Sequence, residues 1–316
     1  MTEIPARSLP LPVHVSEAAR AMLAQPPTLM PPAYPAAGDH QAWRAHIAGV
    51  DAMLIAAMAP MVAELPVESG ADRIAGVPVF RARPLDASQG RQIYLDIHGG
   101  ALVYLGGEGC RMMALATAMR VGMPIVSVDY RMPPEHPYPA GLDDCVAVYR
   151  ALLETHAPGD IVIGGGSAGG NLAAATILKA RDEGLPLPAG AVLLTPEVDL
   201  TESGDSFASN LGIDPVLTTR LMPLNLLYAD GAALDDPYLS PLFGDFSKGF
   251  PRSFIQAGTR DLFLSNAVNL HRALRRADVA AELHVFEAMP HGGFFGAPED
   301  DELAGETRRF LRDIWG

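Results

Sequence analysis

Short apolar runs alternate with longer amphipathic stretches over most of this chain. Runs rich in β-branched residues are typical of strands, and the stretches between them have helical spacing. The predicted strands are GVPVFRARP, RQIYLDIHGG, PIVSVDYR, DIVIGGGS, GAVLLTPEVDL, RSFIQAGTR and AELHVFEAM. The predicted helices are MMALATAMRVG, GLDDCVAVYRALLE, AGGNLAAATILKARDEG and NAVNLHRALRRAD. Such alternation predicts an α/β fold with a mostly parallel central sheet flanked by helices.

Two segments depart from this alternation. The N-terminal part contains helical stretches separated by a proline-rich linker, because proline breaks helices. After the run GAVLLTPEVDL, the chain again predicts helices and loops without a clear strand. Insertions in open parallel sheets gather beyond the carboxyl ends of the strands, where ligands also bind. We therefore predict an N-terminal helical cap segment at 1–70 and a catalytic domain at 71–316 with a cap insertion at about 201–235.

Composition narrows the expected partners and compartment. The 316 residues include 37 acidic and 23 basic side chains, a formal net charge of −14, so we expect no nucleic-acid partner. Cys110 and Cys145 lack the spacing of a metal site or a disulfide framework, and we predict no metal. The N-terminus lacks a signal-peptide pattern, and no apolar run approaches about 18 residues. We expect a cytoplasmic protein without membrane insertion.

One glycine-rich turn presents a candidate nucleophile. Gly165–Gly169 reads Gly-Gly-Ser-Ala-Gly between a predicted strand and a predicted helix, the setting in which a sharp turn projects a serine hydroxyl from a sheet. Gly164, Gly166 and Gly169 also fit the dinucleotide-binding pattern G-x-G-x-x-G. That alternative requires an acid about 20 residues further on, at the end of the next strand. The first acid near that position, Glu197, comes 28 residues after Gly169, which disfavours nucleotide binding.

A second glycine-rich turn, His98-Gly99-Gly100-Ala101, follows another predicted strand. Glycines let backbone N–H groups approach a ligand closely, and acyl transfer needs such donors for the negative charge of its tetrahedral intermediate. A serine nucleophile also needs a neutral imidazole to accept its proton and a carboxylate to orient that imidazole. The two turns together indicate acyl transfer.

The imidazole and the carboxylate are expected in loops after Ser167, in the order Ser, Asp/Glu, His. His291 lies in a glycine-flanked loop directly after a predicted strand, whereas the other two histidines that follow Ser167 lie within a helix and a strand; they are His271 and His284. Asp261 directly follows a predicted strand, 30 residues before His291. Two other acids are less well placed, on a helix end and within a strand; they are Asp278 and Glu287.

These motifs resemble the hormone-sensitive-lipase-like serine esterases, family IV, of the α/β-hydrolase fold. The resemblance runs from about Arg91 to the C-terminus. It rests on HGGA, the block DYRMPPEHPYPAGLDD that begins at Asp129, GGSAGGNLAA, DPYLSPL, GTRDL and HGGF. A sixteen-residue block is far more specific than a short glycine motif, so the block carries most of the weight.

The resemblance implies a Ser-His-Asp triad that hydrolyses short- to medium-chain esters or lactones through an acyl-enzyme, without a cofactor. Ser167 would be the nucleophile, His291 the general base and acid, and Asp261 its orienting carboxylate. The oxyanion hole would come from the N–H groups of Gly99, Gly100 and Ala168. The N-terminal helices and the insertion would form the cap over the acyl pocket.

Other functions stay open at this point. Glu197 stands where many family members have an aromatic residue, so the identity of the substrate is open. An amidase or carbamate hydrolase would use the same triad. A non-catalytic small-molecule receptor on the same fold, as in gibberellin receptors, is disfavoured because those proteins have lost the histidine that His291 supplies here. The strand AELHVFEAM is a candidate exposed edge that pairs in a homodimer.

Overall fold

The computed structural model describes residues 8–26, 33–88 and 90–316. Eight strands form one sheet in the order β1-β2-β4-β3-β5-β6-β7-β8. From β4 to β8 in this order neighbours pair in parallel, and β1 and β2 are added antiparallel at one side. The strands are β1 Val67–Ile74, β2 Val77–Pro84, β3 Ile93–Ile97, β4 Ile125–Val128, β5 Ile161–Gly166, β6 Gly190–Leu194, β7 Ser253–Gly258 and β8 Ala281–Phe286. The predicted mostly parallel sheet is confirmed.

Helices cover both faces of this sheet. They are α1 Glu17–Leu23, α2 His40–Val62, α3 Glu108–Val121, α4 Ala140–Leu152, α5 Ala168–Asp182, α6 Ser206–Ser209, α7 Met222–Ala229, α8 Leu264–Arg276 and α9 Pro298–Trp315. Leu172 of α5 and Leu270 of α8 belong to one large apolar cluster, whereas Ala118 of α3 and Phe310 of α9 belong to the cluster on the opposite face. Because both faces are covered, β5, β6 and β7 are almost wholly buried.

The structure differs from the pattern in three elements. Strand β1 was not predicted because its sequence is polar and largely exposed; an antiparallel backbone ladder to β2 holds it. Helix α9 was also not predicted. Strand β6 ends at Leu194, earlier than the apolar run, because Thr195 has φ +42° and Pro196 has no N–H to donate. β8 lies at one edge of the sheet, as expected, and a homodimer through it stays a prediction.

The N-terminal helix α2 packs against the insertion between β6 and β7. Trp43 of α2 is 1% exposed and shares an apolar cluster with Leu221 and Leu224 of the insertion. The Asp51 carboxylate of α2 accepts a hydrogen bond from the N–H of Leu105, in the loop after β3. We call α1–α2 and residues 201–235 the cap segments; their grouping as a cap, and the division at residue 70, stay predictions.

Helix α2 also passes a test for membrane spans by length and composition. Its most apolar 18-residue window has a mean hydropathy of 1.6, and it is the one such helix in the described ranges. A single helix of this kind does not establish a membrane span, since packed helices of other proteins pass the same test. The predicted absence of membrane insertion therefore stays a prediction.

Candidate active site

Three side chains singled out in the sequence meet beyond the carboxyl ends of parallel strands. Ser167 follows β5, Asp261 follows β7 and His291 lies in the loop after β8. Nε2 of His291 lies 2.9 Å from Oγ of Ser167, and its Nδ1 lies 3.0 Å from Oδ1 of Asp261. The fold therefore brings residues that are far apart in the chain into one chain of hydrogen bonds.

The turn that carries Ser167 tolerates only small neighbours. Ser167 has φ +57° and ψ −126°, a conformation that is costly for a residue with a side chain and is concentrated at functional sites. A Cβ atom on Gly169 would lie 1.9 Å from the carbonyl oxygen of Ile97, and one on Gly165 would lie 2.4 Å from the same oxygen. Glycine at both positions lets β5, α5 and the end of β3 approach closely, which holds Ser167 at the strand end.

Acidic side chains around His291 raise the pKa of its buried imidazole. His291 is 6% exposed, and Asp261, which is fully buried, also accepts a hydrogen bond of 2.8 Å from the N–H of Phe263. Burial disfavours the imidazolium, but the Asp261 carboxylate and two further acids outweigh it and raise the pKa of His291 above its usual value. The two further acids are Asp214 and Glu197.

The predicted oxyanion donors lie around Ser167. A Cβ atom built on Gly99 would lie 3.5 Å from Cβ of Ser167, and Ala168 is the first residue of α5. Gly100 has φ +118°, and a Cβ atom there would lie 2.2 Å from the carbonyl oxygen of Tyr104. In the described part of the chain, none of the three N–H groups of Gly99, Gly100 and Ala168 has a hydrogen-bond acceptor. These groups are free to bind an anion, and the N-terminus of α5 adds its dipole.

His98 supports the glycine turn from behind. Its Nδ1 lies 2.7 Å from the carbonyl oxygen of Gly99, its ring stacks on Tyr130 at 4.2 Å, and burial lowers the pKa of His98 to about 4.

The fold brings potential metal ligands of His98, Cys110 and Asp129 within 4.8 Å of one another, which the spacing of these residues along the sequence does not reveal. Burial raises the pKa of the Cys110 thiol, which opposes the thiolate that metal binding needs. The absence of a bound metal stays a prediction.

Glu197 lies beside the site as a buried carboxyl group. Its backbone N–H donates to the carbonyl oxygen of Ser167 at 3.2 Å, and its side chain is fully buried. Neither carboxyl oxygen has a hydrogen-bond partner among the described residues. Burial, reinforced by the charge of Glu202, raises the pKa of Glu197 to about 8, so this carboxyl group is mostly protonated at neutral pH.

Sequence reasoning missed one acid that contacts the site. Asp214, in the insertion, is 1% exposed, and its Oδ2 accepts hydrogen bonds from the N–H groups of Leu262 at 3.0 Å and His291 at 3.4 Å. Its local sequence, an aspartate followed by Pro215, is typical of an ordinary turn. No signal in the sequence distinguishes Asp214 from a solvated turn residue.

Comparisons with known proteins show which families and proteins this chain is similar to. The model of a family described as having the alpha/beta hydrolase fold matches residues 94–295, a range that includes all three hydrogen-bonded side chains. An esterase of Acinetobacter venetianus is 33% identical over 222 residues, which cover 69% of this chain and 72% of that protein. An acetyl-hydrolase of Streptomyces hygroscopicus is 33% identical over 207 residues, covering 65% and 69%.

Solved structures extend the similarity beyond the matched region. The crystal structure of an esterase, E25, is 34% identical, covers 98% of both chains and has a TM-score of 0.92. The structure of a hormone-sensitive lipase from a metagenome library is 33% identical, covers 82% of this chain and 90% of its own, and has a TM-score of 0.74. The likeness to E25 thus includes the cap segments as well as the sheet.

Proposed function

Since the chain belongs to the hormone-sensitive-lipase-like esterases of the α/β-hydrolase fold, we propose that Ser167, His291 and Asp261 are the triad of this carboxylesterase-type hydrolase. The observation that carries the proposal is the hydrogen-bond chain from Oγ of Ser167, through both imidazole nitrogens of His291, to Oδ1 of Asp261. Its members stand in the chain order that this fold uses. The presence of His291 in contact with Ser167 favours an enzyme over a non-catalytic receptor.

The geometry supports a two-step acyl transfer. Oγ of Ser167 attacks the carbonyl carbon of the ester while Nε2 of His291 takes the hydroxyl proton. The N–H groups of Gly99, Gly100 and Ala168 then bind the oxyanion of the tetrahedral intermediate. The imidazolium returns the proton to the departing alcohol, which leaves an acyl group on Ser167. Water, activated by the same imidazole, attacks this acyl-enzyme and releases the acid.

The acids around His291 favour this chemistry. The imidazole becomes positively charged in each transition state, and the carboxylate of Asp261 stabilises that charge and fixes the tautomer. The pKa of His291 is raised because nearby acidic groups stabilise the protonated imidazole. A raised pKa also means that activity declines on the acid side at a pH above the usual histidine value of about 6.5.

We propose short- to medium-chain carboxylic esters or lactones as substrates. Support comes from two similar proteins: one is an acetyl-hydrolase of Streptomyces hygroscopicus, and the other is EstE5, whose crystal was soaked with p-nitrophenyl butyrate. Amides and carbamates pass through the same tetrahedral chemistry, so they serve as comparison substrates.

The experiment compares the wild type with Ser167→Ala on p-nitrophenyl esters from acetate to laurate, with matched p-nitroanilides. We expect the wild type to prefer the shorter esters over the anilides, and Ser167→Ala to lose at least about 10⁴-fold in kcat. Ser69→Ala, a change at an exposed serine of β1, is the control and is expected to keep full activity. Folded wild type that is inactive on every ester, or Ser167→Ala that stays active, contradicts the proposal.

A further inference from the structure

A buried aspartate of the insertion is bonded to the loops that carry His291 and Asp261. Asp214 uses both oxygens of its carboxylate to accept backbone hydrogen bonds. Oδ1 accepts from the N–H groups of Val216 at 2.9 Å and Leu217 at 3.2 Å, within the insertion itself. Oδ2 accepts from Leu262 at 3.0 Å and from His291 at 3.4 Å.

The two donors to Oδ2 belong to different loops. Leu262 directly follows Asp261 in the loop after β7, whereas His291 lies in the loop after β8. One oxygen atom therefore fixes the distance between the backbones that carry the triad acid and the triad base. Because hydrogen-bond geometry tolerates little displacement, this link sets how Nδ1 of His291 meets Oδ1 of Asp261.

The insertion does not depend on Asp214 to reach the first of these loops. The side-chain amide of Asn210 donates to the carbonyl oxygen of Asp261 at 2.8 Å, and Oγ of Ser206 donates to that of Leu262 at 2.7 Å. Among the side chains of residues 201–235, all of which are described, Asp214 is the one that hydrogen-bonds the backbone of His291. Its contribution is thus separable from simple anchoring of the insertion.

We propose that Asp214 is a positioning residue that holds the Asp261 and His291 loops in register and couples the insertion to proton transfer at Ser167. The inference rests on the proposed function, since it assumes that His291 is the base. Asp214 acts through the triad and does not touch the ester. Its negative charge also faces His291, together with that of Asp261, and adds to the stabilisation of the imidazolium.

The test uses Asp214→Asn in the full chain. The amide keeps the shape of the carboxylate but has a single acceptor oxygen and no negative charge. The variant therefore loses the backbone hydrogen bonds that one of the two carboxylate oxygens accepts. We expect kcat for p-nitrophenyl butyrate to fall about 10- to 100-fold with a smaller change in KM. We also expect the acid limb of the kcat/KM profile to move to lower pH by about 0.5–1 unit, because a lost negative charge lowers the pKa of His291.

Two variants separate positioning from anchoring. Asp205→Asn changes an exposed aspartate of the same insertion whose side chain makes no capping hydrogen bond, and it is expected to match the wild type in kcat and pH profile. Asn210→Ala removes anchoring bonds to the Asp261 loop without a change of charge, and it is expected to lower kcat while the acid limb stays in place. If Asp214→Asn folds poorly, Asp214→Ser repeats the test, because its hydroxyl keeps an acceptor and removes the charge.

The outcomes separate this inference from the proposed function. If the wild type hydrolyses esters, Ser167→Ala does not, and the Asp214 variants lose kcat with the shifted acid limb, both stand. If the wild type depends on Ser167 but the Asp214 variants keep the wild-type acid limb, the positioning role is overturned while the triad is unaffected. Loss of the fold in both Asp214 variants also overturns it, since Asp214 would then be needed for folding.

Discussion

The strand-end turns are recognisable from their sequence motifs, whereas the contacts that the cap segments make are not. The turns after β3, β5 and β7 follow buried parallel strands, and the turn after β8 follows a partly buried edge strand. A Cβ atom on Gly169 would lie 1.9 Å from a carbonyl oxygen, so only glycine fits at that position. The insertion contains helices of only four and eight residues, and α2 leaves Met53 47% exposed. The steric constraints of a tight turn leave a readable motif in the sequence, whereas contacts between distant segments leave none.

Both cap segments contact the strand-end turns through the same kind of hydrogen bond. Asp51 of α2 accepts a hydrogen bond from the N–H of Leu105 in the loop after β3, and Asp214 of the insertion accepts one from Leu262 after β7. In both cases a buried or half-buried carboxylate from a cap segment binds the backbone of a turn. The comparison teaches that the cap segments contribute to the site through backbone geometry as well as through an apolar cover.

Gly100→Ala tests the role of the turn after β3, and it is expected to have the largest effect of the changes considered below, on kcat/KM. The added Cβ atom would lie 2.2 Å from the carbonyl oxygen of Tyr104, at a φ of +118°, so the turn must shift and carry its N–H groups away from the oxyanion. We expect kcat/KM for p-nitrophenyl butyrate to fall by about 10²–10³-fold, the usual cost of a lost oxyanion donor. Gly49→Ala on α2, where an added Cβ meets nothing within 4 Å, is the control. Equal activities in the two variants would contradict the role given to the turn.

Much of the site was predictable for this steric reason. Ser167, His291 and Asp261 lie in turns and loops after predicted strands, and the fold fixes their order along the chain. The hydrogen-bond chain that joins them is the arrangement the order predicts. Their catalytic roles stay predictions until a variant is measured.

The missed features are those held by contacts between distant segments. Strand β1 has a polar sequence because a backbone ladder, which needs no apolar pattern, pairs it with β2. Asp214 looks like a turn residue until Leu262 and His291 fold against it. The group of His98, Cys110 and Asp129 likewise has no characteristic spacing. Such contacts depend on tertiary structure, and local periodicity does not encode them.

Glu197 lies between the turn that carries Ser167 and the cap insertion, and we expect Glu197→Gln to have an intermediate effect, on the free energy of unfolding. The folded protein holds the pKa of Glu197 near 8, above the usual 4.5, so folding favours the protonated form and stability falls as pH rises between these values. Glutamine stays neutral and removes this penalty. We expect the variant to be more stable at pH 7 by at most about 3 kcal/mol and equal to the wild type at pH 4.

Urea unfolding at pH 4, 7 and 8 measures this difference. Glu64→Gln, at an exposed glutamate, is the matched control and is expected to change little at any of these pH values. A Glu197→Gln chain whose stability relative to wild type is the same at pH 4 and pH 8 would show that Glu197 ionises normally in the folded protein.

Met53→Ala, on the exposed side of α2, is expected to have the smallest effect, on the free energy of unfolding. Because Met53 is 47% exposed, its truncation removes little buried area, and we expect less than about 0.5 kcal/mol of destabilisation. Met112→Ala, at a methionine of α3 that is 7% exposed, makes the same chemical change in the packed region and is expected to cost about 2–5 kcal/mol. Thermal unfolding of both variants gives the comparison, and similar losses would mean that α2 is as tightly packed as α3.

The catalytic role of Ser167 is tested most directly by the mass of the intact protein after reaction with an alkyl fluorophosphonate. Oγ of a serine activated by an imidazole attacks phosphorus and displaces fluoride while the imidazole takes the hydroxyl proton, so the serine keeps the phosphonyl group. Unactivated serines do not react at a comparable rate. We expect one adduct per chain, on the peptide that contains Ser167, absent from Ser167→Ala and formed far more slowly in His291→Ala. An adduct on another residue, or an active wild type that stays unlabelled, would contradict the assignment of Ser167 as the nucleophile.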